Sequence, residues 1–239
     1  MIKLTLPNKP AKLTAELEQE LIERFKIDQK DPVWQRKFIK SAVFKIAYGK
    51  CAYSEVKLYQ EGKDMQIDHF YPKNIYKDKV VEWGNLLPSL NYCNRSKWNI
   101  DPSVVGLINP LVDDPKRHLY FVKGYLYAKS TKGKNTIKCL NLDDMQRLLR
   151  PRTLLLREVE NTLKDLEAWI NKDINHFMRR LKEIMLRGTK RYAYSAAVST
   201  CILSNDNYIA YRNYLHTHGL WNLSFRIIED GLRFCSLPK

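Results

Sequence analysis

The chain of 239 residues has little of what marks a secreted or membrane-spanning protein. No apolar run approaches the length needed to cross a bilayer, which argues against a membrane-spanning helix. The opening stretch MIKLTLPNKP lacks the apolar core and the cleavage site of a signal peptide, so we expect a cytoplasmic protein. The five cysteines are an odd number and widely scattered, which argues against a disulfide framework.

Acidic residues are scarce relative to basic ones. Lys and Arg number 41 against 26 Asp and Glu, and the formal net charge is +15. An excess of this size favours a polyanionic partner, and without a long apolar run nucleic acid is favoured over an anionic membrane surface. Apolar residues at 44% and charged residues at 28% are ordinary for a folded protein, so disorder is not expected.

Hydrophobic spacing predicts helices towards both ends of the chain and strands between them. The predicted elements are a helix around residues 17–25, a second helix from Val33 that stops at Gly49, a β-hairpin or meander over residues 119–142 whose last strand is residues 136–140, one long helix from Pro151 to Gly188, and a further helix over about residues 192–214. A short apolar segment closes the chain.

Four regions follow from this pattern. They are an N-terminal arm with helices (residues 1–49), a β-rich core (residues 50–101), a hairpin or meander region (residues 102–150) and a helical C-terminal region (residues 151–239). We therefore expect an α+β fold in which helices flank a small β-rich centre. Asn, His and Cys residues cluster in that centre, so we expect it to carry the chemistry.

The core contains Asp68-His69, then Asn85 16 residues after His69, then Asn94 9 residues after Asn85. Hydrolysis of a phosphodiester needs a base that takes a proton from water and a cation that offsets charge on the phosphate. A histidine suits the base, and carboxylate and amide oxygens suit a hard divalent cation. Each of these short motifs alone is ordinarily structural, but their combination at these spacings indicates a functional site.

In order, spacing and residue type these positions resemble the HNH nuclease superfamily, whose core is a β-hairpin followed by a helix that holds one metal ion. The resemblance implies that His69 is the general base and that Asn85 orients it. It implies that Asp68 and Asn94 hold the metal, and a ligand set of oxygens favours Mg²⁺ or Mn²⁺ over Zn²⁺.

Three basic residues near the motif are expected to bind substrate phosphates. Arg95 and Lys97 lie in the first turn of the helix that follows Asn94, and Lys73 follows the Asp-His pair. A second basic stretch runs from His176 to Tyr192, with six basic residues against one acid. It is equally compatible with a face for nucleic acid or a partner and with a solvated helix surface.

A structural zinc is not expected. Many HNH proteins hold one with two Cys-x-x-Cys pairs, whereas here the pairs are Cys51-x-x-Ser54 and Leu90-x-x-Cys93. Ser is a poor zinc ligand and Leu is none. Apolar packing would then have to hold the hairpin together, and we expect it to involve Ile67, Tyr53, Leu86, Leu87, Leu90 and Trp98.

Further motifs lie before and after the Asp-His and Asn motifs of the core. They are Lys50-Cys51-Ala52-Tyr53, Ile108-Asn109-Pro110, Asp113-Asp114-Pro115 and His118-Leu119. With them the chain resembles the PtuB-type family of HNH proteins from Septu and retron defence systems. This resemblance implies an anti-phage effector that works beside an ABC-type ATPase (PtuA-like) and, in some systems, a retron reverse transcriptase with its DNA-linked RNA.

Two alternatives stay open. One is a nuclease for structured RNA such as tRNA, because the site residues do not indicate whether RNA or DNA is cut. The rival from another class is a catalytically inactive HNH-like module that binds nucleic acid or serves as a scaffold. Loss of function would be expected to alter Asp68, His69 or Asn94, yet only the zinc cysteines differ, which favours the nuclease.

Overall fold

The computed structural model describes residues 1–238, which divide into two units. The core unit comprises residues 3–118 and 128–142, and the helical unit comprises residues 1–2, residues 119–127 and the chain from residue 143 onward. The elements are mostly helices, with two small two-stranded sheets, which is compatible with the predicted α+β class. No helix among residues 1–238 is both long and apolar enough to cross a membrane.

The helices and strands of the core unit carry the residues of the predicted site. In chain order they are α1 (Ala15–Ile27), α2 (Lys37–Ile46), β1 (Met65–His69), β2 (Leu86–Leu90), α3 (Asn91–Lys97) and α4 (Pro102–Val105), followed, after the hairpin of the helical unit, by α5 (Thr131–Cys139). Thr14 caps α1, because its side chain accepts a hydrogen bond from the backbone N–H of Leu17. The second predicted helix is shorter than expected, since residues 33–35 form a separate 3₁₀ turn and α2 ends at Ile46.

The sheet of the core unit pairs β1 with β2 in antiparallel register, with Met65 opposite Leu90 and His69 opposite Leu86. Helix α2 packs on this sheet through its buried face, and α3 follows β2 without a loop. The connection from β1 to β2 spans residues 70–85 and contains two 3₁₀ turns. Asp68 and His69 therefore stand where β1 leaves the sheet, next to the chain that returns from the connection.

The helical unit is built from one hairpin and five helices among its described residues. They are β3 (Leu119–Val122) and β4 (Tyr125–Ala128), then α6 (Arg150–Asp165), α7 (Ile174–Arg187), α8 (Ser195–Leu203), α9 (Asp206–Thr217) and α10 (Leu223–Cys235). A π-helical turn precedes α6, and the shared core contains Phe177, Leu181, Tyr211 and Phe225.

The last strand predicted for residues 119–142 is wrong. The hairpin forms, and both residues of its turn, Lys123 and Gly124, have the positive φ that a type I′ turn requires. The following segment, Thr131–Cys139, is helix α5 instead of a strand. Ser130 caps it by accepting a hydrogen bond from the N–H of Gly133 at 3.1 Å. The polar triplet around Gly133 is thus the first turn of a helix and not a loop.

The single long helix predicted from Pro151 to Gly188 is also wrong. Helix α6 ends at Asp165, a 3₁₀ turn follows, and α7 starts again at Ile174. Asp173 caps α7, because its carboxylate accepts a hydrogen bond from the N–H of His176 at 2.9 Å. Apolar spacing near the helical period runs through both helices, so periodicity alone misses the break.

The last part of the chain is more helical than predicted. The helix expected over residues 192–214 is divided into α8 and α9 at Asn205, whose side chain accepts a hydrogen bond from the N–H of Tyr208. The closing apolar segment is α10, with buried Phe225 and Leu232 on its inner face. Asn at a cap competes with the helix it follows, which a pattern of apolar residues does not show.

Candidate active site

A cleft of about 370 Å³ opens beside the β1–β2 sheet of the core unit. Five of the predicted site residues line it: Asp68, His69, Lys73, Asn94 and Arg95. Strand β1 and helix α3 both contribute to its lining, so Asp68 and Asn94, which are 26 positions apart in the chain, share one surface. Asn85 and Lys97, the remaining predicted residues, are buried outside the cleft lining.

His69 is held as a neutral imidazole. Its Nε2 lies 2.8 Å from the carbonyl oxygen of Val80, and since a carbonyl oxygen only accepts, we assign the ring proton to Nε2. The Nδ1 lone pair is then available to accept a proton. Burial lowers the pKa of His69 to about 4, so the ring is uncharged at neutral pH. The ring of Trp34 packs against it in a T-shaped arrangement, with ring centroids 5.0 Å apart.

Asn85 ties together the two segments that hold His69. Its Oδ1 accepts a hydrogen bond from the N–H of Tyr71 at 2.7 Å, and its Nδ2 donates to the carbonyls of Tyr71 and Lys79 at 3.1 and 2.9 Å. Tyr71 lies two residues after His69, and Lys79 immediately precedes Val80. All three bonds run to backbone atoms, so Asn85 fixes the shape of the connection around the imidazole.

The carboxylate of Asp68 has a donor on each oxygen. The hydroxyl of Tyr53 donates a hydrogen bond to Oδ2, and Nζ of Lys97 donates to Oδ1 at 3.1 Å. Lys97 donates a second hydrogen bond to the carbonyl of His69 at 2.7 Å. Burial and the charge of Asp68 raise the pKa of Tyr53 well above its ordinary value, which keeps its hydroxyl a donor. The carboxylate is thus oriented from both sides.

The structure places Lys97 differently from the expectation that it contacts substrate. Its side chain is 1% exposed and pairs with Asp68, which is 4% exposed. A buried charge needs a partner, and Asp68 is that partner here. The other two expected substrate-binding cations do reach the cleft. Arg95 is exposed, and Nζ of Lys73 lies 4.9 Å from the centre of the Trp34 ring.

Trp98 also departs from expectation. It was predicted to pack in the apolar core around strands β1 and β2, but its side chain is 73% exposed and lines the cleft. Leu90 is only partly buried. The remaining residues predicted for that packing are at most 5% exposed: Tyr53, Ile67, Leu86 and Leu87. The hairpin core therefore forms without the tryptophan.

The four positions that correspond to the two Cys-x-x-Cys pairs, Cys51, Ser54, Leu90 and Cys93, come together in part. Cys51 and Cys93 are buried and their thiols share a hydrogen bond, and the backbone N–H of Leu90 bonds to Cys51. Burial raises the pKa of Cys51, but these hydrogen bonds and one from Ser54 outweigh it and lower the pKa to about 6. The hydrogen bond with Cys51, together with burial, raises the pKa of Cys93 well above its ordinary value. Two of the four ligands of a tetrahedral zinc site are absent from these positions.

The second basic stretch, on α7, has contacts that bear on its two readings. Arg180 pairs with Glu183 and Arg187 with Glu158, each at 2.6 Å. Lys182 lies over the ring of Phe225, 4.6 Å from its centre. Three of the six basic residues are thus engaged within the helical unit, while Arg180 and Arg187 stay 45% and 41% exposed.

Sequence reasoning missed two residues that the site uses. Tyr53 was assigned to packing, yet its hydroxyl binds Asp68 from 15 residues away. Trp34 was assigned no role, yet its ring meets both His69 and Lys73. The motif Lys50-Cys51-Ala52-Tyr53 held a signal for the first. No pattern in the sequence indicates the second.

The fold and the site define a mixed, mostly helical protein in which a two-stranded sheet and a following helix hold an Asp, His and Asn cluster at a cleft. No family model matches the chain. It is 34% identical over 232 residues to Septu protein PtuB of Bacillus thuringiensis, covering 93% of this chain and 90% of that protein. It is 32% identical over 184 residues to Septu protein PtuB of Bacillus mycoides, covering 61% and 60%. The chain belongs to the PtuB family of Septu proteins, which confirms the predicted resemblance.

Proposed function

We propose that this protein is a metal-dependent HNH endonuclease that hydrolyses phosphodiester bonds of nucleic acid. The observation that carries the proposal is the state of His69. Its Nε2 is engaged by the carbonyl of Val80, which leaves Nδ1 to accept a proton, and it lines the same cleft as Asp68 and Asn94. A neutral histidine with one free nitrogen has the chemistry of a general base that takes a proton from water.

The chain's own residues have distinct roles in this reaction. Nδ1 of His69 accepts the proton of the attacking water, while Asn85 keeps the surrounding backbone in place. Arg95 and Lys73 line the cleft as cations that attract the phosphate. Burial lowers the pKa of Lys73, so its ammonium is less strongly hydrated than one on an open surface.

The donor set suits Mg²⁺ or Mn²⁺. Asp68 and Asn94 line one cleft, and each oxygen of Asp68 that accepts one hydrogen bond retains a lone pair for a cation. Among residues 1–238 there is no group of three or more His, Cys, Asp or Glu side chains placed to hold a metal ion. Water and phosphate oxygens would therefore complete the shell of the cation. The bound ion would offset charge on the phosphate and the leaving oxygen.

A cleavage assay tests the proposal. The purified chain is incubated with labelled phage DNA and with total tRNA in Mg²⁺ or Mn²⁺, alone and with the product of the neighbouring gene. We expect cleavage that stops in EDTA, and the nucleic acid that is cut separates the DNA and RNA alternatives. A His69→Ala preparation made in parallel controls for contaminating nucleases. No cleavage of either nucleic acid, under any of these conditions, would favour the inactive binding module.

We further propose that the chain is the effector of an anti-phage defence system and is restrained by an ABC-type ATPase, PtuA-like. Membership of the PtuB family supports this proposal, and the +15 charge gives the chain an affinity for host nucleic acid that needs restraint. Pull-down from the native operon is expected to recover the ATPase with this chain. A free chain that is fully active and toxic without a partner would contradict it.

A further inference from the structure

Trp98 is held in an unusual backbone conformation. It is the C-cap residue that follows α3, and its N–H donates a hydrogen bond to the carbonyl of Asn94 at 3.0 Å. Its φ of 47° and ψ of −127° lie in a region that residues other than glycine rarely enter. Such strain persists only where the surrounding structure maintains it, and it concentrates at functional sites.

The exposure of Trp98 contrasts with that of the other tryptophans. Trp83 and Trp221 are 6% and 4% exposed, and Trp34 and Trp169 are partly buried against other rings. Trp98 leaves 73% of its surface in solvent. An indole is a large apolar group that folding normally buries, so this exposure needs an explanation beyond the packing of the core unit.

The surroundings of Trp98 favour a nucleotide as the group that covers it. The same cleft is lined by Arg95 and Lys73, which suit a phosphate, and by Asn94 and His69 of the candidate active site. A flat aromatic face next to cations is the combination with which proteins bind unpaired nucleotides, because the base stacks on the ring and the phosphate meets the charge. An exposed tryptophan that docks a protein partner would not require these cations.

We propose that Trp98 is the stacking platform for an unpaired nucleobase next to the scissile phosphate, so that the preferred substrate is single-stranded nucleic acid or a duplex with an extruded base. In a continuous duplex both faces of each base are covered by its neighbours, and no face is left for the indole. The inference deepens the proposed nuclease function and rests on it for the identity of the cleft.

Binding of nucleic acid, measured without cleavage, tests the inference. In the His69→Ala background and in EDTA, fluorescence anisotropy gives the affinity for a labelled single strand and for the blunt duplex of the same sequence. Trp98→Ala is expected to weaken single-strand binding roughly 5- to 150-fold, the loss of one base–aromatic stack, and to change duplex binding little. Trp98→Phe keeps a ring and is expected to restore most of the affinity.

Tyr59 provides a matched control. It is also aromatic, also exposed (51%), also has a positive φ (59°), and does not line the cleft. Tyr59→Ala is expected to leave both affinities unchanged. Thermal melts of each variant verify that the fold is intact.

Three results would overturn the inference. The first is an unchanged single-strand affinity in Trp98→Ala. The second is an equal loss of affinity for the single strand and for the duplex. The third is that Trp98→Ala changes only the recovery of a protein partner and not the binding of nucleic acid. Failure of the nuclease proposal is separate. If the chain cuts no nucleic acid but binds single strands through Trp98, the stacking platform stands and the nuclease proposal fails. If the Trp98→Ala variant cuts at the normal rate, the nuclease proposal stands and the platform fails.

Discussion

The two units of the chain differ in how deeply they bury their ion pairs. The core unit contains two fully buried ion pairs, Lys50 with Glu55 and Lys97 with Asp68, whose side chains are at most 4% exposed. In the helical unit, an ion pair with one buried side chain keeps the other side chain in contact with solvent. Buried Glu229, for example, pairs with Arg212 and Arg233, whose side chains contact solvent. Buried ion pairs stabilise little, because desolvation offsets their attraction. One of the two buried pairs of the core unit includes Asp68, so the candidate site keeps a buried charge at a cost in stability.

The largest effect is expected from His69→Ala, which removes the proposed base and leaves both buried ion pairs of the core unit in place. Under the proposed mechanism the cleavage rate falls by about 10² to 10⁴, the usual contribution of a general base. Single-turnover assays at saturating Mg²⁺ measure the rate, and anisotropy measures binding, which is expected to change little. A well-folded His69→Ala chain that cuts at nearly the normal rate would remove His69 from its role.

Loss of the buried cation is the next largest effect. Lys97→Met leaves the carboxylate of Asp68 buried without its ionic partner, which we expect to cost about 3–5 kcal/mol in the free energy of unfolding. The double variant Asp68→Asn with Lys97→Met removes both charges and is expected to be more stable than Lys97→Met alone. Denaturant unfolding of all three chains measures these differences. Equal stability of the single and double variants would show that the charge of Asp68 is not what Lys97 balances.

An exposed ion pair in the helical unit is the matched control for that experiment. Arg180 and Glu183 are 45% and 49% exposed and lie 2.6 Å apart. Arg180→Met is expected to change the free energy of unfolding by less than about 1 kcal/mol, because solvent screens such pairs. A loss as large as that of Lys97→Met would contradict the contrast between the units.

A smaller effect is expected from Asn85→Ala, which removes an uncharged group. It removes the partner of the N–H and the carbonyl of Tyr71 and of the carbonyl of Lys79, all part-buried, which we expect to cost about 1–3 kcal/mol. If Asn85 orients His69, the cleavage rate falls while nucleic-acid affinity stays the same. Stability and rate measured on one preparation test this, and a lower affinity at an unchanged rate would point to substrate binding instead.

The smallest effect concerns zinc. With Ser54 and Leu90 at two ligand positions, elemental analysis is expected to show well under one zinc per chain. Prolonged EDTA is expected to stop cleavage and leave the melting temperature nearly unchanged. One tightly bound zinc per chain, with a large drop in melting temperature on chelation, would show that Cys51 and Cys93 hold a metal with help from other groups.

The sequence by itself determined the local features of this protein. Asp68 and His69 are consecutive, and the strand they end was predicted from its apolar residues. The helix was predicted to start after Asn94, but α3 runs from Asn91 to Lys97, so Arg95 and Lys97 lie in its last turn and not in its first. The start of α1 at Thr14 was predictable, because a cap bonds to an N–H three residues away. Interactions of this range depend on neighbours in the chain, and the neighbours are visible in the sequence.

Only the tertiary structure decided which groups surround those residues. Val80 reaches the ring of His69 because the connection between β1 and β2 folds back, and Tyr53 and Lys97 meet at Asp68 from opposite sides in the chain. Trp98 was predicted inside and is outside, since the packing of the hairpin is complete without it. Burial depends on how distant segments close over one another, and hydrophobicity at a single position does not contain that information.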